Sequence, residues 1–247
     1  MMHFFTAQSD GYHLQLFSPV HWVMIILALI VSVIVWWGKS EKNHHIIENM
    51  IYGGLVVQVI MLYSWYLIGG YSSHKEALPL YGCRIAILCF IIGYFMNRPK
   101  LRTIGFLLGG YGAPLALIMP SLDPFTPIHL TTVSYIVGHV LLWAATLDHL
   151  KHHLDLLTKE NLRFSLLMIN LLLLITWQFD LTTQSNYSYF LQSPVLSELF
   201  NNWSLIQYGL FVVLLHNVLL TGTYRVANKY RLKNLGDEEL SFDTKVS

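Results

Sequence analysis

A thiol and an imidazole stand inside two apolar segments of this chain. Cys83 follows the sequence Leu-Pro-Leu-Tyr-Gly, and His139 follows Tyr-Ile-Val-Gly. Ionisable side chains are costly in hydrocarbon, so one that lies inside a membrane marks a functional site by default. A cysteine and a histidine can together form a nucleophile and its base. These two residues therefore predict covalent chemistry inside a membrane.

The chemistry that this pair permits is acyl transfer. A thiolate attacks an ester carbonyl, the imidazole accepts the thiol proton, and an acyl thioester forms. The hydroxyl of a second lipid, activated by the same imidazole, then collects the acyl group. Arg84, next to the thiol, is suited to binding a lipid phosphate. Asp180 or Asn186 is a candidate for orienting His139, and His21 is a further polar residue in the same half of the membrane.

Each of these residues also has a structural interpretation. A single cysteine in a membrane helix commonly fills space, which is the interpretation that we give to Cys89 outright. A histidine in the membrane can instead bond to a neighbouring helix. Arg84 and Asp180 can form an ion pair near the interface, and His21 can be an interfacial residue beside Trp22. The sequence leaves both interpretations open.

The elements that must hold these side chains are membrane-spanning helices. Hydrophobic residues make up 54% of the 247 residues and charged residues only 12%, whereas a soluble domain carries about 25% charged residues. A spanning helix needs about 20 predominantly apolar residues. Seven segments predict an all-α, seven-helix membrane bundle: Pro19–Trp37, Ile46–Ile68, Leu78–Met96, Ile104–Pro120, Leu130–Leu150, Phe164–Leu181 and Trp203–Thr221.

The basic residues predict the orientation of this bundle. All of the fifteen Lys and Arg residues except Lys75 and Arg84 lie in the first, third and fifth connections or after the last segment. Cytoplasmic loops are enriched in Lys and Arg, so we predict the N-terminus outside and the C-terminus inside. Residues 1–224 then form the transmembrane domain, and residues 225–247 form a polar cytoplasmic tail. No basic region precedes the first apolar stretch, so we predict no cleavable signal peptide.

This orientation places the reactive pair in the outer half of the membrane. At 1.5 Å per residue, Cys83 lies about 8 Å and His139 about 13 Å below the outer ends of their helices. Asp180 ends the sixth segment on the same side, and Asn186 follows it. These depths are compatible with contact between the thiol and the imidazole.

A proline in the fourth segment favours a different class of protein. Pro114 lies near Gly109, Gly110 and Gly112, and this pattern predicts a kinked or broken helix. Broken helices line the binding sites of many transporters. A transporter or small-ligand receptor, in which Cys83 is incidental, is therefore the non-enzymatic alternative.

A histidine-rich motif follows the fifth segment. His149, His152 and His153 have the H-x-x-H-H spacing of membrane di-iron desaturases and hydroxylases, and imidazole binds iron. Only His44 and His45 are further histidines on the predicted cytoplasmic side, fewer than such a site needs. We interpret the motif as a hydrated basic turn, and we predict neither a metal nor a soluble cofactor.

Four short motifs resemble those of a known family. Leu78-Pro-Leu-Tyr-Gly-Cys83 resembles the L-P-L-x-x-C of the YwaF-like proteins, the bacterial relatives of transmembrane protein 164. Gly138-His139 is similar to that family's histidine in order and spacing. Phe17-Ser-Pro-Val-His21 resembles its F-S-x-x-H segment, and Asn186-Tyr-Ser-Tyr189 its N-Y segment. The likeness covers nearly the whole chain.

The resemblance implies a membrane acyltransferase that acts on glycerophospholipids, with Cys83 as the nucleophile and His139 as the base. Membrane phospholipids would be its substrates, and the bacterial cytoplasmic membrane its location. Neither a nucleic acid nor a protein partner is predicted. The nearest alternative is a lipid hydrolase with the same site, in which water replaces the acceptor lipid.

Overall fold

The computed structural model describes residues 4–38, 41–69 and 75–246, with side chains for all of these except residues 41–43 and 234–246. Among the residues used to predict the orientation, Lys39 lies outside this part, as do the side chains of Lys42 and Lys245. The described residues form seven α-helices and no strand, which confirms the all-α prediction. The helices are α1 (Pro19–Trp37), α2 (Glu41–Ile68), α3 (Gly82–Phe95), α4 (Pro99–Ile118), α5 (Leu130–His152), α6 (Lys159–Thr183) and α7 (Leu205–Val246).

The helix boundaries follow local capping signals. α1 begins where it was predicted because Ser18 is its N-cap and Pro19 occupies its first position, where a missing N–H does no harm. α4 begins at Pro99, five residues before the predicted start at Ile104, for the same reason. α7 continues past the predicted boundary at residue 225, so the predicted polar tail begins within a helix.

Six of the helices are long and apolar enough to cross a membrane. The exception is α3, whose 14 residues rise about 21 Å, less than the hydrocarbon core of about 30 Å. The predicted third segment began at Leu78, but the chain from Leu78 to Tyr81 is not helical. The helical part of this segment therefore starts immediately before Cys83.

Consecutive helices run in alternating directions, which gives the bundle two distinct ends. The first, which we call the entry end, holds residues 4–18, 75–81, 119–129 and 184–204; there Trp65 Nε1 donates to the carbonyl of Phe5 at 3.2 Å. The second, which we call the basic end, holds the start of α2, residues 96–98 and residues 153–158. There Lys151 Nζ donates to the carbonyl of Gly38 at 3.1 Å.

The fourth helix lies at the centre of the bundle and packs against α1, α3, α5, α6 and α7. Its glycines permit this close packing. A Cβ on Gly105 would lie 2.7 Å from the Phe90 ring of α3, and one on Gly109 would lie 2.6 Å from Thr146 Oγ1 of α5. The helix continues through Pro114, so the predicted break at this residue is absent.

The outside of the bundle is apolar, and the polar contacts lie between helices. Gln58 donates to Ser134 Oγ at 2.7 Å between α2 and α5, and the side chains of Asn170 and Asn217 join α6 to α7. Large apolar side chains are exposed along α1, α2, α6 and α7. Such a surface is unfavourable in water and typical of helices that face lipid. The protein is therefore a multi-pass membrane protein.

Candidate active site

The thiol of Cys83 lies in the first turn of α3. Tyr81 precedes this helix with an extended backbone, and its side chain makes no capping hydrogen bond. The N–H groups at the start of the helix are thus left to favour negative charge nearby. The thiol faces α4, because a Cβ on Gly112 would lie only 3.1 Å from Cys83 Sγ. Gly112 therefore leaves the space in which the thiol sits.

His139 is held on α5 by a hydrogen bond within its own helix. Its Nδ1 lies 2.8 Å from the backbone carbonyl of Tyr135. A carbonyl oxygen can only accept, so Nδ1 carries the proton. The neutral ring then keeps Nε2 as a free acceptor, which is the form that a general base requires.

Tyr135 connects the surroundings of these two residues. Its ring lies 4.0 Å from that of His139, measured between centroids. Tyr135, Tyr111 and Tyr189 all lie within electrostatic range of Cys83. Cys83 and His139 thus share Tyr135 as a neighbour, and the described residues include no hydrogen bond between their side chains. Catalytic hydrogen bonds are commonly long before substrate binds and tighten in the complex.

Arg84 is bound by the protein itself. Its Nη1 donates to the carbonyls of Glu76 at 2.5 Å and Leu78 at 3.2 Å. Its Nη2 donates to the Tyr66 hydroxyl at 2.7 Å. The guanidinium also lies over the Tyr81 ring, 5.0 Å from its centroid. These contacts fasten the segment before α3, so Arg84 positions Cys83, and its binding of a lipid head group stays a prediction.

Asp180 and Asn186 shape the loop that follows α6. Asp180 is buried and accepts a hydrogen bond from the Tyr187 N–H at 3.0 Å. Asn186 Oδ1 accepts from the N–H groups of Leu191 and Gln192, at 2.9 and 3.1 Å. We predicted that one of these two residues orients His139, but the structure gives that role to the Tyr135 carbonyl. The alternative ion pair between Asp180 and Arg84 is also absent from the described residues.

The loop after α6 contacts the segment that leads to Cys83, about a hundred residues earlier in the chain. The Leu78 N–H donates to the Tyr187 hydroxyl at 3.0 Å, and the rings of Tyr81 and Tyr187 meet edge to face at 4.8 Å. Burial raises the pKa of Tyr187 to about 12, so this phenol stays protonated at neutral pH. The motif that ends at Cys83 and the motif that begins at Asn186 are therefore in direct contact.

The same loop carries backbone strain. Ser188 and Tyr189 both have positive φ angles, 51° and 62°, a region that costs residues with a Cβ about 1–2 kcal/mol each. Strain of this kind persists where the surrounding structure over-determines it, and it clusters at functional sites. Here the hydrogen bonds of Asp180 and Asn186 supply that support.

His21 joins the start of α1 to the end of α4. Its Nδ1 accepts from the Phe17 N–H at 2.8 Å, and its Nε2 therefore donates to the Leu117 carbonyl at 3.0 Å. The side chain is buried. Leu117 lies one turn beyond Ala113 on the helix that carries Gly112, so this contact positions the wall against which the thiol packs.

An apolar crevice begins beside Cys83 and runs between α3, α4, α6 and α7. It is lined mainly by aliphatic side chains, with Gly82 and Ser188 near the thiol: Gly82, Ile85, Leu108, Ile169, Leu172, Leu173, Thr176, Ser188 and His216. Its lining is apolar apart from Thr176, Ser188 and His216. His216 lines this crevice and bonds to the Val212 carbonyl of its own helix at 2.9 Å.

Three residues of this site were not singled out from the sequence. Gly112 and Tyr187 contact the thiol and the segment before it, and Tyr135 binds the imidazole. Tyr135 precedes His139 by one helical turn, so helical spacing contained a signal for it. Gly112 was noted only beside Pro114, and Tyr187 only as part of a family-like motif, because their roles depend on contacts between distant segments.

Comparison with known proteins adds one finding. The model of the TMEM164 family matches residues 16–224 of this chain, which includes all four motifs quoted above. No curated protein and no solved structure gives a significant match.

Proposed function

Since this chain belongs to the TMEM164 family, we propose that it is a membrane acyltransferase that moves fatty-acyl chains between glycerophospholipids and lysophospholipids. Cys83 is its nucleophile and His139 its general base. The proposal places the protein in the bacterial cytoplasmic membrane, with phospholipids as substrates.

The observation that carries this proposal is the state of His139. Its Nδ1 proton is bound by the Tyr135 carbonyl, so Nε2 is available to accept a proton, and the ring of Tyr135, which packs on that of His139, is within electrostatic range of Cys83. His139 bonds within its own helix, and among the described residues its second ring nitrogen has no partner.

The reaction begins at the donor lipid. His139 Nε2 accepts the Cys83 thiol proton, and the thiolate attacks the ester carbonyl of a phospholipid. The tetrahedral oxyanion forms next to the uncapped start of α3, whose N–H groups are suited to stabilise it. The C–O bond breaks, the lysophospholipid alkoxide takes the proton from His139, and the acyl thioester remains on Cys83.

The second half-reaction returns the enzyme to its first state. His139 Nε2 accepts the proton of an acceptor lysophospholipid hydroxyl, whose oxygen attacks the thioester carbonyl. The C–S bond breaks, and the thiolate recovers the proton from His139. Both halves use the same base and balance without a metal or a redox step.

The surroundings of Cys83 support a lipid substrate. The crevice beside Gly82 has an apolar lining, the chemistry that an acyl chain would contact once the crevice widens around it. The short α3 begins at the thiol, and a 14-residue helix leaves about 9 Å of the hydrocarbon core unfilled. A lipid ester can thus approach the thiol from the bilayer.

The transporter alternative loses its main support, because α4 is continuous through Pro114. The hydrolase alternative differs only in the acceptor. Water in place of the lysophospholipid hydroxyl would release a free fatty acid, and the products of the reaction separate these two activities.

The decisive experiment is an intact-mass measurement on protein purified with native lipids. We expect a fatty-acyl increment that hydroxylamine removes in the wild type and in Cys89→Ala, and no increment in Cys83→Ala. Cys89 is the matched control, because it is the second of the two free cysteines and lies on the same helix. An increment that persists in Cys83→Ala would place the acyl group elsewhere, and its absence from all three proteins after incubation with phospholipid would exclude the thioester.

A further inference from the structure

The basic end of the bundle contains a second cluster of reactive side chains, far from Cys83 in the fold. The cluster joins the first turns of α2 to the last turns of α5 and the turn that follows it. Its members are four histidines that lie close to two buried carboxylates and one arginine, with a fifth histidine behind them: His44, His45, His152 and His153; Glu48 and Asp148; Arg102; and His149.

Asp148 lies at the centre of this cluster. His44 Nε2 lies 2.9 Å from Asp148 Oδ1, and His153 Nε2 lies 3.5 Å from Asp148 Oδ2. The carboxylate is 1% exposed, so water compensates little for its charge. A buried carboxylate is stable only when cations or hydrogen bonds replace that water, yet among the residues that the structure describes Asp148 Oδ2 makes no hydrogen bond, and its contact with His153 remains at 3.5 Å.

A second observation concerns His149. Its ring is fully buried, and neither of its nitrogens has a hydrogen-bond partner. The ring stacks on Phe106 at 4.7 Å and lies 5.8 Å from that of His153, measured between centroids. Buried polar groups are nearly always bonded, and the exceptions call for an explanation such as an absent ion.

The charges of the cluster also favour an additional cation. Glu48 is paired with Arg102 at 3.0 Å, and these two charges balance each other. Among the described side chains, Arg102 contacts Glu48 and not Asp148, whose ionisable contacts are the imidazoles of His44 and His153. The nearby Lys151 ammonium does not supply the balance, because it donates to the carbonyls of Val35, Trp36 and Gly38 at the end of α1.

We propose that His44, Asp148 and His153 bind a divalent first-row transition metal ion such as Zn²⁺. Their ligand atoms all lie within 4.8 Å of one another. His44 Nε2 lies against Asp148 Oδ1 and His153 Nε2 against Asp148 Oδ2, so the carboxylate has one imidazole at each oxygen. Two imidazoles and one carboxylate form a ligand set that zinc and iron(II) both accept.

The metal ion would replace the protons that Asp148 shares with His44 and His153. Metal binding requires neutral imidazole nitrogens and an ionised carboxylate, so it releases any proton that they share. Glu48 stays paired with Arg102, and its contact with His153 Nε2 at 3.1 Å is given up when that nitrogen binds the ion. The His152 ring lies 3.8 Å from that of His44 and packs against this ligand.

This proposal revises the interpretation of the H-x-x-H-H motif. The histidines near this motif are too few for a di-iron site. The structure offers a site for a single ion instead, and this site uses only His153 of the motif. The other ligands are His44, about a hundred residues earlier, and Asp148, which precedes the motif by one residue. The site joins α2 to α5 at the end opposite to Cys83, so it does not depend on the acyltransferase proposal.

The test is a metal-binding measurement on full-length protein purified without a polyhistidine tag and stripped with a chelator. Zn²⁺ is added in competition with a chromophoric chelator, and the bound metal is counted by elemental analysis. We expect one Zn²⁺ per wild-type chain and affinity weakened by about 100-fold or more in Asp148→Asn and His44→Gln. His13→Gln, which removes an exposed histidine near the N-terminus, should bind as the wild type does.

A second measurement guards against loss of fold. Co²⁺ bound at this site should give visible absorption bands in the wild type and in His13→Gln, and His44→Gln should lose or shift them while it keeps the elution volume of the folded protein. His44 is less buried than Asp148, so its substitution disturbs the fold less. Zinc binding that is absent from the wild type, or unchanged in both ligand variants, would overturn the proposal and leave a hydrogen-bonded network.

Discussion

The two ends of the bundle hold their reactive side chains in opposite ways. At the entry end, the thiol of Cys83 packs against Gly112, and His139 has one hydrogen bond, to a backbone carbonyl. At the basic end, Asp148 has two imidazoles within 3.5 Å, and Glu48 has an imidazole and a guanidinium at about the same distance.

This difference separates two kinds of chemistry. A nucleophile and base that are neutral at rest need an environment that stabilises charge only when it develops. The entry end provides this with an uncapped helix start and tyrosines. A permanent negative charge without full compensation favours a bound cation, which is the situation at Asp148. Predictions that affect one end and spare the other test whether the two are independent.

The largest effect is expected from the reactive pair. Cys83→Ala should reduce acyl transfer by at least about 1,000-fold, because it removes the nucleophile. His139→Gln should reduce transfer by about 100- to 10,000-fold, because it removes the base. Both variants should bind zinc as the wild type does. The measurement is transfer of a labelled acyl chain from phospholipid to lysophospholipid in vesicles, and full transfer by Cys83→Ala would remove the thiol mechanism.

Zinc should stabilise the basic end. At a free concentration of 100 times its Kd, a ligand that binds only the folded state adds about 2.7 kcal/mol to the free energy of unfolding. We expect the wild type to gain this stability in a thermal unfolding assay with Zn²⁺, whereas His44→Gln should gain little. An equal gain in both proteins would assign the effect to sites outside the cluster.

A smaller effect is expected from the space beside the thiol. In Gly112→Ala the new Cβ would approach Cys83 Sγ to 3.1 Å, so the thiol must move by a few tenths of an ångström. Small misplacements of reacting groups reduce rates, and about 10-fold slower acyl transfer is expected. Gly53→Ala on α2 is the matched control, because its Cβ would meet no atom within 4 Å. Equal rates in the two variants would mean that the thiol does not need this space.

The sequence predicted the helices well because apolar length and capping residues are local signals. The bounds of α1 depend on Ser18 and Pro19, both adjacent to the helix. The short α3 was not predicted, because Leu78 to Tyr81 is apolar yet is drawn out of the helix by distant partners. Tyr187 binds the Leu78 N–H, and Arg84 binds the Leu78 carbonyl.

The candidate site likewise contains residues that local sequence signals predict and residues whose roles depend on tertiary contacts. The choice of Cys83 and His139 came from residue type and depth, which the sequence contains. The roles of Asp180 and Asn186 depend on which atoms their oxygens reach, and these atoms belong to a loop whose path is fixed by tertiary contacts. The histidine motif was discounted because His44 and His45 were too few further histidines for a di-iron site, and the carboxylate of Asp148 was not considered, although α2 and α5 are neighbours in the fold.

The smallest predicted effect concerns the one loop carboxyl that faces Arg84. Burial raises the pKa of Asp123 above its usual value, although the positive charge of Arg84 opposes this. The stability that Asp123 contributes is therefore complete below the ordinary carboxyl pKa and is lost as the pH rises through the folded-state pKa. In Asp123→Asn this loss is absent, so its unfolding temperature relative to the wild type should rise between about pH 4 and pH 7.

The expected change is the smallest of these effects, because the positive charge of Arg84 opposes the effect of burial on the pKa of Asp123. Glu198→Gln, which removes an exposed carboxyl at the same end, supplies the control for the pH series. If the relative unfolding temperature of Asp123→Asn fell with rising pH, the attraction of Arg84 would exceed the cost of burial. The entry end would then contain a permanent ion pair near the nucleophile, and the contrast with the basic end would weaken.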